Sequence, residues 1–338
     1  MRRKISVRGA AACGILLALG AAAARADEPT RIRIAWTTVI GQFSTAAFQK
    51  PELLPHFGKS YVAEPVYYKG SGPQITALAA GELEIAQYAP NALALSVENA
   101  GMADVRVIGD ATRDGHADYN SRKYMVRADG PIRTVENLKG KVLATNSLAG
   151  AMDTAMRVML KRHGLEDKRD YQVVELDFPN MFAAVTSGKV DLASISLPFS
   201  IAAEKSGEVR TLFTMKDAIG ESDMTIMTAR APFIAQHRAA LVDFFADLQH
   251  AMRWFYDPAN RAEVVALVAK ATKQEPSAYS DWLLTKQDDY RDLSVRPNLA
   301  AVQEDIDRQV EMGFLKAGIE VNKYADLSLV DAAEKQPR

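Results

Sequence analysis

Short apolar runs alternate with amphipathic stretches along most of this chain, and that alternation predicts strands laid beside helices, an α/β protein. Strands are expected at 31–36, 66–68, 83–88, 105–111, 123–127, 141–145, 171–176, 191–196, 209–214 and 224–229. The last is expected to pair with 123–127. Helices are expected between them at 43–50, 74–80, 92–100, 152–163 and 180–186. From Pro232 onward the pattern is helical, at 232–255, 261–272, 276–285 and 299–312.

One stretch, VYYKGSGPQITALAAGELEIAQYAPN at 66–91, organises the rest. A strand turns sharply through Gly70, Ser71, Gly72 and Pro73 into a short helix that Gly81 stops. A second strand, ending at Tyr88, leads through Ala89, Pro90 and Asn91 into another helix. Pro73 suits a first helical turn, where its missing N–H has no partner to lose. Gly72 lets the backbone come close to whatever lies above it. Two strand ends and two helix starts thus converge on one small volume, and free N–H groups at helix starts suit an anion. The same grammar recurs at 180–198: a short helix, Gly188, Asp191, a buried strand, then the turn Leu197-Pro198. Two copies imply two similar α/β lobes.

These residues carry a resemblance. GSGPQITALAAGELEIAQYAPNALA, and later PIRTVENLKGKVLATN, resemble the turns, strands and helix starts of periplasmic solute-binding proteins of ABC importers, the sulfonate/nitrate/taurine type. The resemblance implies a two-lobed type II periplasmic-binding-protein fold, each lobe a sheet flanked by helices. Lobe one is expected at 27–118 plus 231–338 and lobe two at 119–230, with hinge crossings near 115–123 and 225–232. It also implies a small-molecule ligand and an ABC permease with its ATPase as partners. Carried over residue by residue, the ligand cleft takes Thr37, Thr38, Gly72, Pro73, Gln74, Ala89, Pro90 and Asn91 from lobe one. Lobe two adds Ser147, Gly150, Ala151, Met152 and Pro198, with Phe178, Met181 and Phe199 beside them.

Composition adds a compartment. Arg2, Arg3, Lys4 and Arg8 precede an Ala- and Leu-rich run to Ala24, and Ala24-Arg25-Ala26 has the form of a signal-peptidase site, so residues 1–26 read as a signal peptide and the protein as periplasmic. That segment holds five of the 41 basic residues and none of the 42 acidic ones, leaving a mature net charge of −6. A mildly acidic surface argues against nucleic acid as a partner. Cys13, the one cysteine, lies in the signal, so the mature chain has no thiol chemistry. A monomer is expected.

Catalytic signatures do not emerge. There is no G-x-S-x-G, no P-loop and no H-E-x-x-H, and His56, His116, His163, His237 and His250 lie scattered. No catalytic residue, metal site or cofactor is expected. A cleft without a reactive constellation suits a binder, here of a small organic anion. Where sulfonate and taurine binders tend to show hydroxyls, this chain has Ala149-Gly150-Ala151, and Ser196 stands where they carry Trp. With Tyr88, Phe178, Met181 and Phe199 nearby, the expected ligand has an apolar or planar body, a sulfonate or an aromatic carboxylate. Arg113, just past a strand, is the expected charged contact. Were Asp153, Asp177 or Asp223 to face inward, a pyrimidine of the thiamine-precursor type would fit instead, for a binder or an enzyme on the same fold.

Overall fold

The computed structural model describes residues 28–336 of the 338-residue chain, so the signal peptide and its cleavage after Ala26 lie outside the described residues. Among the described residues ten strands form two sheet systems, the first made of two sheets joined by a single bridge. β1 (Thr30–Trp36) and β2 (Tyr61–Tyr67) pair in parallel, and a bridge between Ile34 and Ile85 carries β1 to β3 (Ala86–Tyr88). β4 (Val105–Asp114) is joined to β3 through β10 (Ser222–Arg230), which lies antiparallel to both. The second sheet runs β7 (Tyr171–Glu175), β6 (Lys141–Thr145), β8 (Leu192–Ile195), β5 (Lys123–Arg127) and β9 (Val209–Thr214). Its order repeats that of the first, β2-β1-β3-β10-β4. The doubled sequence grammar therefore folds as two α/β lobes.

Side-chain alternation explains why both sheets are buried on two faces. Along β5, Tyr124 and Val126 enter one core while Met125 enters the other. Along β1, Ile32 and Ile34 face the helix that holds Phe244, Phe245 and Phe255, and Ala35 faces the opposite layer with Leu78, Tyr88 and Leu93. Leu197 and Ile201, which follow β8, pack into the Phe244 core of the first lobe and so tie the lobes together.

Three expectations are corrected. The strand expected at 224–229 does not pair with 123–127. β10 instead fills the space between β3 and β4, with Met227 opposite both Gln87 and Gly109, because β9 already occupies that edge of β5. The helix expected at 232–255 is two, Ala231–Gln236 and Arg238–Tyr256. His237 breaks it at φ −119° and ψ 26°, with its ring nitrogen Nδ1 3.2 Å from the Thr30 hydroxyl. The stretch expected as a helix at 276–285 is one short turn, Pro276–Ala278, followed by irregular chain. Tyr279, Trp282 and Leu283 are all buried there in the core of the first lobe, and Leu284 takes a left-handed φ of +60°.

Candidate functional site

The parallel strands of both sheets point their carboxyl ends at one open-mouthed gap, the usual ligand position in open α/β sheets. About 720 Å³ of empty space, open solvent at the mouth included, lies between its walls. Four helices begin on it: Ser71–Ala80, Pro90–Glu98, Ala151–Arg162 and Phe178–Thr186, with Gly70 and Ser71, Ala89, Gly150 to Met152, and Phe178 in the wall. None of the four has a side-chain cap. Uncapped first turns leave N–H groups and a positive dipole end available to a ligand.

Of the residues expected from sequence, Thr37, Thr38, Gln74, Tyr88, Ala89, Ser147, Gly150, Ala151, Met152 and Phe178 line this gap. The others lie elsewhere. Gly72 and Pro73 are exposed on the Ser71 helix, which starts three residues before the expected Gln74 and turns them outward. Met181 is fully buried among Met125, Ala144 and Ile195 under the second sheet, and Phe199 packs on the same core beside Pro198. Pro90 and Asn91 line a small neighbouring cavity with Thr154, Asp305 and Gln309. Asn91 nonetheless spans the lobes: its Nδ2 donates to the Ala149 carbonyl at 2.7 Å.

Arg113 is not a cleft residue. β4 continues through Asp114, so Arg113 lies within the strand, buried, with Nε 3.0 Å from Asp110 and 3.1 Å from Asp223. Asp153 is turned to Arg157 and the Ala149 N–H, and Asp223 to Arg113 and the Asn298 N–H. Neither faces the gap. Asp177 stands on the rim, exposed, 3.3 Å from Lys69 on the opposite side.

The wall also holds Ser196, which stands where sulfonate and taurine binders carry Trp, and residues that the sequence did not point to: Gly41, Gln42, Gln87, Arg122, Asn146, Met224 and Thr225. Arg122 is the one ionisable side chain of Asp, Glu, His, Lys or Arg type in the lining. It is 6% exposed and already satisfied, with Nη1 3.0 Å from Asp114 and Nη2 2.9 Å from Asp289. Burial pulls its pKa down, but the Asp289 and Asp114 carboxylates outweigh that and hold it above the usual arginine value. Apart from Arg122, the polar lining is made of hydroxyls and amides. Tyr88 contributes ring surface, since its hydroxyl meets Ser96 at 3.3 Å and burial raises its pKa.

Asp305, beside Asn91 in the neighbouring cavity, lies 2.9 Å from Arg308, yet burial lifts its pKa to about 8. An ordinary carboxylate titrates near ~3.9. An acid whose pKa rises on folding contributes stability that is full below ~pH 4 and falls as the pH climbs toward the folded value. Wild type should therefore lose stability between pH 5 and pH 8 relative to Asp305→Asn. Urea midpoints at the two pH values check this; equal slopes would refute it.

The sequence model of the NMT1-like family matches residues 25–269. Comparison with curated proteins gives no match. Among solved structures, the chain is similar to the periplasmic aliphatic sulphonate-binding protein SsuA from Escherichia coli, at 20% identity and a TM-score of 0.69 over 88% of this chain and 97% of that one. It is similar to the periplasmic nitrate-binding protein NrtA from Synechocystis PCC 6803, at 14% identity and a TM-score of 0.70 over 91% and 89%. It is also similar to the desulfurization enzyme DSZB, at 14% identity and a TM-score of 0.64 over 90% and 99%. At these identities the likeness is one of fold: the two-lobed periplasmic-binding-protein architecture.

Proposed function

The chain belongs to the NMT1-like family, and from that premise we propose that it is the extracytoplasmic solute-binding component of an ABC importer. It captures a small organic anion, a sulfonate or an aromatic carboxylate, in the gap between its lobes and delivers it to a membrane permease. The observation that carries this reading is the meeting of four uncapped helix starts over a wall of hydroxyls and amides. Such a wall holds a weakly hydrated anion by hydrogen bonds and dipole ends without neutralising it. Met152, Phe178, Met224 and the Tyr88 ring supply apolar surface for the rest of the solute. A binder also fits the charge of the lining, because its one cation is held by two carboxylates and offers no proton to move. The sulphonate- and nitrate-binding proteins that share the fold support the same reading.

Lobe one is taken as 27–118 with the C-terminal part of the chain. Since β10 belongs to its sheet, the second crossing is placed before Ser222 rather than at 225–232. Ligand binding then favours closure about the two crossings. Asn91 and Ala149 hold the closed form at one edge. Asn91→Ala removes one hydrogen bond, ~1 kcal/mol, and should lower the closed-to-open ratio ~5-fold. Small-angle scattering of ligand-free protein should show a larger radius of gyration; an unchanged radius would count against the latch.

The test of function is native mass spectrometry of freshly purified protein, followed by thermal shifts with sulfonates, aromatic carboxylates, nitrate and pyrimidines. A solute at 100 times its Kd stabilises by ~2.7 kcal/mol, a clear rise in Tm. Shifts confined to pyrimidines, or turnover of a small molecule by the purified protein, would overturn the organic-anion reading in favour of the thiamine-precursor type.

A further inference from the structure

Gln42 follows β1 in the wall of the gap and is 5% exposed. Its amide has a fixed direction. Oε1 accepts from two backbone groups, Thr38 N–H at 2.9 Å and Thr37 N–H at 3.1 Å. Both of those groups can only donate, so the carbonyl half must face them and the NH2 half must face away. Among the described residues no protein acceptor meets Nε2, and the nitrogen is not sealed from the gap. The other glutamines of this wall differ. Gln74 accepts the Gln87 N–H at 2.9 Å and donates to the Thr37 hydroxyl at 3.4 Å. Gln87 donates to the Ala35 carbonyl at 2.8 Å. Of the three, Gln42 alone has no protein partner for its nitrogen.

We infer that Gln42 is the donor that reads the ligand head group: its NH2 is held ready for an oxygen that only accepts, as in a sulfonate or carboxylate, and the site rejects head groups that donate. This rests on the solute-binding reading above. An ammonium group at the same point would set hydrogens against hydrogens and leave both donors unpaired. The backbone grip on Oε1 means that the amide cannot flip to suit such a ligand.

The test is Gln42→Glu. A carboxylate oxygen still accepts from Thr37 and Thr38, as a stronger acceptor, so the turn keeps its bonds. The atom facing the gap becomes a negative oxygen. Calorimetric titration compares hexane-1-sulfonate, benzoate and hexan-1-amine on wild type and variant. Wild type should bind at least one of the two anions, and the variant should bind it at least ~10²-fold more weakly, through a lost charge-assisted bond and added repulsion. Binding within threefold of wild type would overturn the inference while leaving the solute-binding reading intact. A wild type that binds the amine and neither anion, or none of the three probes, would overturn the reading and the inference together. Should the variant fail to fold, wild type labelled with 15N at glutamine gives the answer. The Gln42 side-chain NH2 pair, assigned by its proximity to Thr37 and Thr38, should shift and exchange more slowly when the bound anion is added; an unmoved pair would overturn the inference.

Discussion

Replacing Arg122 by Leu should cost the fold about 3–5 kcal/mol, read as the loss of unfolding free energy in urea. Arg122 precedes β5 at the first crossing and ties together Asp114 at the end of β4 and Asp289 from the C-terminal part of the chain. Both carboxylates are almost wholly buried. Asp114 would retain the Ser121 hydroxyl at 2.6 Å and the backbone N–H of residue 122, and Asp289 only a long contact with Asn120 at 3.3 Å. Two buried negative groups would face each other with their cation gone. Burial already raises the pKa of Asp114, and losing the guanidinium raises it further. A raised carboxylate pKa makes stability fall as pH rises, so the deficit should be larger at pH 8 than at pH 5. Arg122→Lys should recover only part of the loss, because a point charge cannot place one donor on each carboxylate. A Leu variant within 1 kcal/mol of wild type would show that the pair of ion pairs is not what holds this crossing.

Gly70→Asp should make the protein more stable and a worse binder at once. Gly70 is the N-cap of the Ser71–Ala80 helix, in extended backbone that any residue adopts, and a side-chain carbon there meets nothing within 4 Å. Aspartate is a preferred N-cap, and accepting the Gly72 N–H should add about 0.5–1 kcal/mol. The same carboxylate would stand in the wall of the gap and occupy a dipole end proposed for the ligand. At separations of a few ångströms, like charges near a protein surface cost enough to weaken an anion ~10²-fold. Urea unfolding and calorimetric titration of the anion that wild type binds read the two effects separately. A variant that gains stability and keeps its affinity would remove this helix start from the site.

Much of the gap was legible in the sequence because it is built from local grammar. A buried strand, a small-residue turn and a helix start put Thr37, Tyr88, Ala89, Ser147, Gly150 and Met152 at strand ends, and those ends share one space. Arg122 and Thr225 were not legible, because their positions depend on which strand fills the space between β3 and β4. That choice is made by partners more than a hundred residues away. Arg113 shows the same limit. Whether an arginine in a polar stretch reaches the gap or the interior turns on where β4 ends, and Asp110, Asp223 and Asp292, which draw it inward, come from three separate segments. Gln42 was missed for another reason: nothing in its neighbourhood distinguishes an amide held by two backbone groups from a solvated one.

The interleaving of the strands dictates an order of assembly. β5 through β9 all come from residues 123–214, so the second sheet can be completed from a contiguous length of chain. The first sheet must wait for β10, which inserts between β3 and β4. A chain delivered from its amino end therefore presents two unpaired edges, one on each side of an empty slot, until residue 230 has arrived, and open edges of this kind recruit other chains. The exposed interval thus outlasts the delivery of the whole second lobe and closes only when β10 follows it, and that is when a holding chaperone would be of greatest use.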